Sequence, residues 1–447
     1  MTDNVYLNGD FAPVSVEQTI VDLEVTGELP VELAGRYLRN GPNPASPPDS
    51  ATYHWFAGDG MVHGIRIAEG RAQWYRNRWV RSETVAKVLG EPVRPGPVHA
   101  DMDFAPNTNV IGHAGRTWAI VEAGARPYEL DYELETVGPS DFGGTLPGGY
   151  TAHPKRDPAT DELHAVSYFW GWGNRVQYSV VGTDGRVRRA VDVEVGASAM
   201  VHDMSLTARY AVIYDLPVVF SMEALSQGAM LPYRWEPGYQ ARVGLLPREG
   251  ASEDVQWFDI EPCYVFHSLN AYDDDDHVVL DVVRHPRMFA THLLGPDEGT
   301  PILQRWTVDP SAGKVLTETL DDRGQEFPRV DERVVGARHR YGYAVTVEST
   351  GSGGVFGAAL LKHDLERGTT EARVLGEGCR AGEAVFVPRN ADAAEDDGWA
   401  LALAHGEDAT ELLVLNAPDF TGEPQAVVRI PARVPLGFHG NWVPDRG

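Results

Sequence analysis

Four histidines stand at similar places in this chain, each where an apolar or aromatic run meets a polar or turn-forming residue. His153 lies in Thr151-Ala152-His153-Pro154 and His202 in Met200-Val201-His202-Asp203-Met204. His267 ends the run Cys263-Tyr264-Val265-Phe266, and His439 lies in Gly437-Phe438-His439-Gly440-Asn441-Trp442. A strand end at such a point would project its side chain into a cavity. The intervals of 49, 65 and 172 residues are far too long for one helix or one hairpin. They suit imidazoles drawn from separate strands that meet at an axis, where a transition metal would find good ligands. Short metal signatures such as His-Glu-x-x-His are absent. Spacing alone therefore leaves a metal centre beside the plainer reading of scattered core and surface histidines.

The elements that would carry such residues read as strands. Short runs rich in β-branched and aromatic residues recur at Thr117–Val121, Arg209–Tyr214, His277–Val283, Tyr341–Val347, Val355–Leu361, Trp399–Ala404 and Glu411–Leu415. Gly, Asp and Asn clusters separate them. The acidic Asp273–Asp276 before Val278–Arg284 predicts strand, tight turn, strand. Arg186–Val195 alternates like a strand with one wet face. Helical periodicity is weak, and the best case is Val219 to Met230. The acidic stretch Asn390–Gly398 predicts a solvated turn. Many short strands over 447 residues predict an all-β sandwich, barrel or propeller. No internal repeat shows at the roughly 40–50-residue period of regular propellers. A propeller with diverged blades and a two-domain β protein both remain open from pattern alone.

Composition narrows the class. Hydrophobic residues make up 43% and charged residues 23%, which is globular rather than disordered or coiled-coil. The two cysteines, Cys263 and Cys379, are too few for a disulfide scaffold or a cysteine-ligated zinc or iron–sulfur cluster. Lys and Arg number 38 against 65 Asp and Glu, a net charge of −27, which disfavours nucleic acid and anionic lipid as partners. Met1-Thr2-Asp3-Asn4 has no basic or apolar leader character, and Asp215 interrupts the best apolar stretch, Tyr210 to Met222. The expectation is a cytoplasmic protein with no transmembrane segment.

Further motifs carry a resemblance. They are Gly35-Arg36-Tyr37-Leu38-Arg39-Asn40-Gly41-Pro42-Asn43-Pro44, His54-Trp55-Phe56-Ala57-Gly58-Asp59-Gly60-Met61, Ala152-His153-Pro154, His202-Asp203-Met204-Ser205-Leu206-Thr207, the run through His267, and Phe438-His439-Gly440-Asn441-Trp442. In this order, and over nearly the whole chain, the sequence resembles the carotenoid cleavage oxygenases. That family includes stilbene-cleaving dioxygenases and retinoid isomerohydrolases. The resemblance implies one domain over residues 1–447, a seven-bladed β-propeller capped by a dome of loops and short helices. It implies ferrous iron, Fe(2+), on the propeller axis, held by His153, His202, His267 and His439. Three outer glutamates match by context: Glu122, Glu326 and Glu383. Thr108, in Asn107-Thr108-Asn109-Val110, resembles a threonine whose methyl crowds one vacant iron position, and Phe56 would line the substrate space. Read singly, each glutamate is more simply a surface charge, and Phe56, Trp170 and Trp172 are ordinary core aromatics. His164, His277, His285, His339 and His405 read as structural or exposed.

The physical logic of that set is consistent. Four neutral imidazoles leave a divalent charge uncompensated, and outer carboxylates would accept Nδ1–H bonds, fix the tautomer and offset the charge. The implied reaction is addition of O2 across an electron-rich C=C bond to give two carbonyl products. Stilbene-cleaving members resemble one another in a lysine directly before the first glutamate and an upstream tyrosine. Here that position is Val121, and Ser82 to Asp101 holds no tyrosine. The expected substrate is therefore a lipophilic alkene, a carotenoid or apocarotenoid. A stilbenoid or phenylpropene, a non-redox isomerohydrolase reaction and a metal-free binding propeller are the alternatives. Residues 218–231 would form an apolar tunnel mouth in contact with neutral lipid, or else buried dome core.

Overall fold

The computed structural model describes residues 4–348, 356–406 and 409–445. Seven antiparallel sheets form the blades of a β-propeller, and a separate hairpin pairs Val218–Phe220 with Tyr233–Trp235. The innermost strands are Asn109–His113, Lys155–Arg156, Met204–Leu206, Tyr264–Asp274, Gln325–Arg329, Val385–Pro388 and Gly440–Pro444. All seven line one axial cavity.

The ends of the chain close the ring twice. Gly440–Pro444 pairs with Gly35–Pro42, so one blade takes its inner strand from the C-terminal end. Val25–Gly27 pairs with Ala426–Ile430, so the preceding blade takes an outer strand from the N-terminal end. Asparagines stitch the inner seam. Asn441 Nδ2 donates to Asn109 Oδ1 (2.9 Å), and Asn109 Nδ2 donates to Ala152 O (2.9 Å).

Burial follows strand position. Gly398–His405, in the middle of a sheet, is buried along its whole length. Val187–Glu194, an outer strand, alternates half-buried Val187, Arg189 and Val191 with exposed Arg188, Ala190 and Asp192. The acidic turn forms as its sequence predicts. Asp274 pairs with His277, and Asp275 takes φ +52° in the two-residue connection between them.

Four expectations differ from the structure. Val219 to Met230 is not one helix: β-branched Val218 and Val219 pair as a strand, and only Met222–Ser226 is helical, capped by the Ser221 hydroxyl. Asn390–Gly398 turns, but it is not merely solvated. Asp396 accepts from Lys362 Nζ (2.6 Å) and Tyr343 OH (2.8 Å) of the neighbouring blade. Trp170 and Trp172 are not core: they form a short turn on the dome, with Trp170 stacked on Phe220 at 5.0 Å. The predicted strand Val355–Leu361 begins at Ala359, and Val355 lies outside the described residues.

Candidate metal centre

A propeller gathers the starts of its inner strands around one axis, and the chemistry of this chain is concentrated there. His439, Thr108, His153, His202, His267, Glu326 and Glu383 each sit at or near the start of a different inner strand, one per blade. Glu122 follows Arg116–Ile120, the second strand of its blade. Because that strand runs antiparallel to the first, its end reaches the same face.

Two bulges aim the side chains. The pairing of Tyr264–Asp274 slips by one residue between Val265 and Ser268, around Phe266 and His267. A second slip lies between Glu326 and Arg329, where Phe327 takes φ +54°. Each bulge turns a residue that regular alternation would place elsewhere. The motif around Phe56 is clamped to the loop of Thr108. Asn107 Nδ2 donates to Phe56 O (2.8 Å) and Gly58 O (2.6 Å). Only glycine fits at position 60, where a Cβ would lie 1.8 Å from Pro106 O. Thr108 Oγ1 donates to Asn107 Oδ1 (2.9 Å), which fixes the direction of its methyl group.

His153, His202, His267 and His439 are all buried, and one ring nitrogen from each lies within 4.8 Å of the others. The Nε2 atoms of His153 and His202 are 3.0 Å apart. Two metal–imidazole bonds of about 2.1 Å at a right angle would space their nitrogens by about that distance. His267 Nδ1 donates to Glu326 Oε2 (2.5 Å) and His439 Nδ1 to Glu383 Oε1 (2.9 Å), so both rings turn an Nε2 lone pair inward. His267 Nε2 is buried without a protein partner. His202 Nδ1 lies 2.8 Å from Glu122 Oε2, close enough for an ion pair but out of line for a hydrogen bond. Inward lone pairs with no donor are costly to bury, and a cation removes the cost. The four imidazoles thus fit a metal ion.

The electrostatics agree. Burial, and then the other three imidazoles, holds His153 far below the usual histidine range. Burial pushes His439 down to about 4 against the pull of Glu383. Burial also pushes His267 down, but the Glu326 carboxylate together with Asp203 and Glu383 outweighs it and the net shift is upward. Burial would raise the Glu383 carboxyl, yet Arg329, His439 and the Gly440 N–H bring it down to about 2. Glu326 is likewise lowered against burial, by His267 and His285.

Two residues of this network were not read from the sequence. His285 is not a bystander: its Nε2 lies 2.7 Å from Glu326 Oε1, so one carboxylate serves two imidazoles. Its place comes from the hairpin register, in which two slips, between Val265 and Ser268 and between Ser268 and Asn270, bring Tyr264 opposite His285. Arg329 joins three blades. Its guanidinium donates to Glu383 Oε2 (3.0 Å), Gly440 O (2.8 Å), Glu332 Oε1 (2.8 Å) and Asn441 Oδ1 (2.9 Å). Arg329→Met should lower stability by about 3–5 kcal/mol by leaving Glu383 buried without its guanidinium partner. Urea denaturation measures this, and an unchanged midpoint would show that the pair carries no stability.

Above the imidazoles lies a cavity of about 380 Å³, lined by Phe56, Thr108, Val121, Glu122, Tyr168 and Phe220 among others. His202, His267 and His439 form part of its wall. Aromatic and aliphatic side chains form much of its wall, and Asp59, Asp297, Glu298 and Glu348 border it as well. Phe56 meets Phe266 and Phe438 edge-on at 5.7 and 5.6 Å.

A family model described as "Retinal pigment epithelial membrane protein" matches residues 11–444. A carotenoid cleavage oxygenase of Mycobacterium tuberculosis is 49% identical over 99% of this chain and 98% of its own length. The chain belongs to the carotenoid cleavage oxygenase family. Among solved structures, the lignostilbene dioxygenase of Pseudomonas brassicacearum superposes with a TM-score of 0.89 at 31% identity, covering 98% of each chain. Cobalt-substituted Synechocystis apocarotenoid oxygenase superposes with a TM-score of 0.86 at 27% identity, covering 97% of each chain. The family fold is the propeller described above, and the four buried imidazoles lie on its axis.

Proposed function

We propose that this oxygenase cleaves a C=C bond of a carotenoid or apocarotenoid with O2 to give two carbonyl products, using ferrous iron held by His153, His202, His267 and His439. The observation that carries this reading is the opening of four inward-facing imidazoles onto a cavity walled largely by aromatic and aliphatic side chains. Relatives that cleave carotenoids match essentially the whole chain. Bound ferrous iron supplies the activation of O2, and no outside reductant is needed because both oxygen atoms end in the products.

The chain's own residues do the rest. Glu326 and Glu383 hold the Nδ1 protons of His267 and His439, and Glu122 faces His202. The two hydrogen bonds orient the rings of His267 and His439 with Nε2 free to serve as the ligand atom. Thr108 lines the cavity next to His439, whose backbone N–H donates to the Thr108 carbonyl, and the Thr108 methyl group would narrow the space beside the imidazoles. Phe56, Phe266 and Phe438 exclude water and present ring faces and edges that favour a polyene and any positive charge that develops on it. A carotenoid requires no buried phenolate partner, and Val121 borders the cavity where a lysine would provide one.

The similarity to the lignostilbene dioxygenase structure favours a stilbenoid as the second reading. Incubating iron-loaded protein with carotenoids, apocarotenoids and stilbenols, and identifying the products by mass, decides between them. Aldehydes from a polyene are expected; cleavage of stilbenols alone would overturn the first reading. Oxygen-18 from O2 in both carbonyls would exclude an isomerohydrolase reaction.

We further infer a single domain over residues 1–447, a cytoplasmic setting, and neutral-lipid contact through part of 218–231. No helix among the described residues is long and apolar enough to cross a membrane. Val218 and Val219 are buried, whereas Met222, Leu225 and Met230 are exposed, and Leu225 and Met230 border the cavity. Met222 is 65% exposed and lies outside the cavity wall. Met222→Glu should weaken sedimentation with phosphatidylcholine vesicles by roughly tenfold, the effect of withdrawing one apolar side chain. Cleavage of detergent-dispersed substrate should not change. Unaltered sedimentation would count against the contact.

A further inference from the structure

Tyr168, Tyr233 and Tyr264 lie around the Glu122 carboxylate, and all three are buried. Tyr264 does not border the dome cavity, and its hydroxyl donates to Met200 O (2.9 Å). Tyr168 and Tyr233 do border it, and neither hydroxyl has a hydrogen-bond partner in the protein. Of the buried hydroxyls left unpaired among the described residues, these are the two in that wall. They come from different elements. Tyr168 ends the strand Leu163–Tyr168, and Tyr233 opens the second strand of the dome hairpin. Their rings meet edge-on at 5.8 Å. Tyr168 OH lies near Glu122 without meeting it in a hydrogen bond. Burial, and then the Glu122 carboxylate, raises both phenols above the usual tyrosine range, so each keeps its proton.

A buried hydroxyl without a partner is costly unless a ligand or water supplies one, and here the open side is the cavity. The same wall holds Asp59, Glu122, Asp297, Glu298, Glu326 and Glu348 and no lysine or arginine. A carboxylate end group would meet that negative field with no cation to offset it. An uncharged oxygen accepts from a phenol at no such cost. We infer that Tyr168 and Tyr233 form a subsite for an uncharged oxygen of the substrate, a hydroxyl or a carbonyl, so that the dome cavity selects neutral oxygenated polyenes over both hydrocarbons and acids. This rests on the reading of the dome cavity as the olefin site. The pair is separate from position 121, where stilbene-cleaving members resemble one another in a lysine and this chain has Val121.

The test measures binding first and cleavage second. Trp55 and Trp170 border the cavity, so a bound polyene quenches their fluorescence. Chain-length-matched polyenes ending in an alcohol, an aldehyde, a methyl group or a carboxylate are titrated from one detergent solution into iron-loaded protein without O2, at about pH 8, where the acid is ionised. Wild type should bind the alcohol and the aldehyde at least about tenfold more tightly than the hydrocarbon and the acid. In Tyr168→Phe/Tyr233→Phe, which removes both donors and keeps both rings, the alcohol-to-hydrocarbon affinity ratio should fall at least about tenfold. A role confined to packing would lower both affinities alike; an unchanged ratio would overturn the subsite, as would wild-type preference for the hydrocarbon or the acid. If the double variant does not fold, the wild-type series decides on its own. Admitting O2 then tests the reaction separately: an intact binding preference with no polyene cleaved would overturn the proposed reaction and support the subsite.

Discussion

Protein carrying His267→Ala, purified anaerobically and supplied with ferrous iron, is expected to hold no stoichiometric iron and to cleave no olefin above the level of metal-free wild type. His267 occupies a bulge that exists to aim it, and its ring is fixed by a 2.5 Å hydrogen bond to Glu326. Alanine removes one of the four inward nitrogens and leaves three imidazoles whose lone pairs no longer surround a cation. It also leaves Glu326, 4% exposed, with His285 and the Phe327 N–H but without its principal partner. Loss of a buried charge partner costs about 3–5 kcal/mol, so a fall in melting temperature accompanies the loss of iron. Iron is counted by atomic emission and product by mass. An iron-replete, active variant would contradict the assignment of His267.

Glu326→Gln tests the outer layer, with an expected 10–100-fold loss of metal affinity. Glu326 accepts from His267 Nδ1 through one oxygen and lies 2.7 Å from His285 Nε2 through the other. Glutamine is nearly isosteric but has one acceptor oxygen and one donor nitrogen. Whichever way the amide turns, one imidazole faces an N–H in place of a carboxylate oxygen. If that ring is His267, its tautomer changes and its inward nitrogen gains a proton, which opposes ligation. His285→Asn, which leaves the carboxylate intact, should cost less. Titration of stripped protein with cobaltous ion gives the affinities. Equal affinities for wild type and Glu326→Gln would show that the carboxylate is only a buried structural acid.

The parts of this architecture that were legible in the sequence are local. The alternation of Arg186–Val195 and the apolar runs other than Val355–Leu361 became strands along most of their length, and the acidic turn before His277 formed, because strand formation and two-residue turns depend on neighbouring residues. The apolar-run edges read as strand ends put His153, His202 and His439 one or two residues before inner strands, whereas His267 lies three residues inside one. Blade number was not legible from periodicity. Inner strands range from two residues at Lys155–Arg156 to eleven at Tyr264–Asp274, and the ring closes with strands from both ends of the chain. Only the family motifs supplied the count of seven. Residues defined by tertiary register were missed. His285 depends on hairpin pairing, and Arg329 depends on three blades meeting at the closure. The helix expected at Val219 to Met230 gave way because pairing with Tyr233–Trp235 satisfies the backbone of Val218–Phe220 better than an isolated helix of that length would.

X-ray absorption at the iron K-edge, on protein loaded anaerobically with one equivalent of ferrous ion, examines the shared imidazole centre without any assumption about substrate. A single iron environment with multiple scattering from four imidazole rings is the expected result. A spectrum fitted by carboxylate oxygens, or by fewer than four rings, would contradict it.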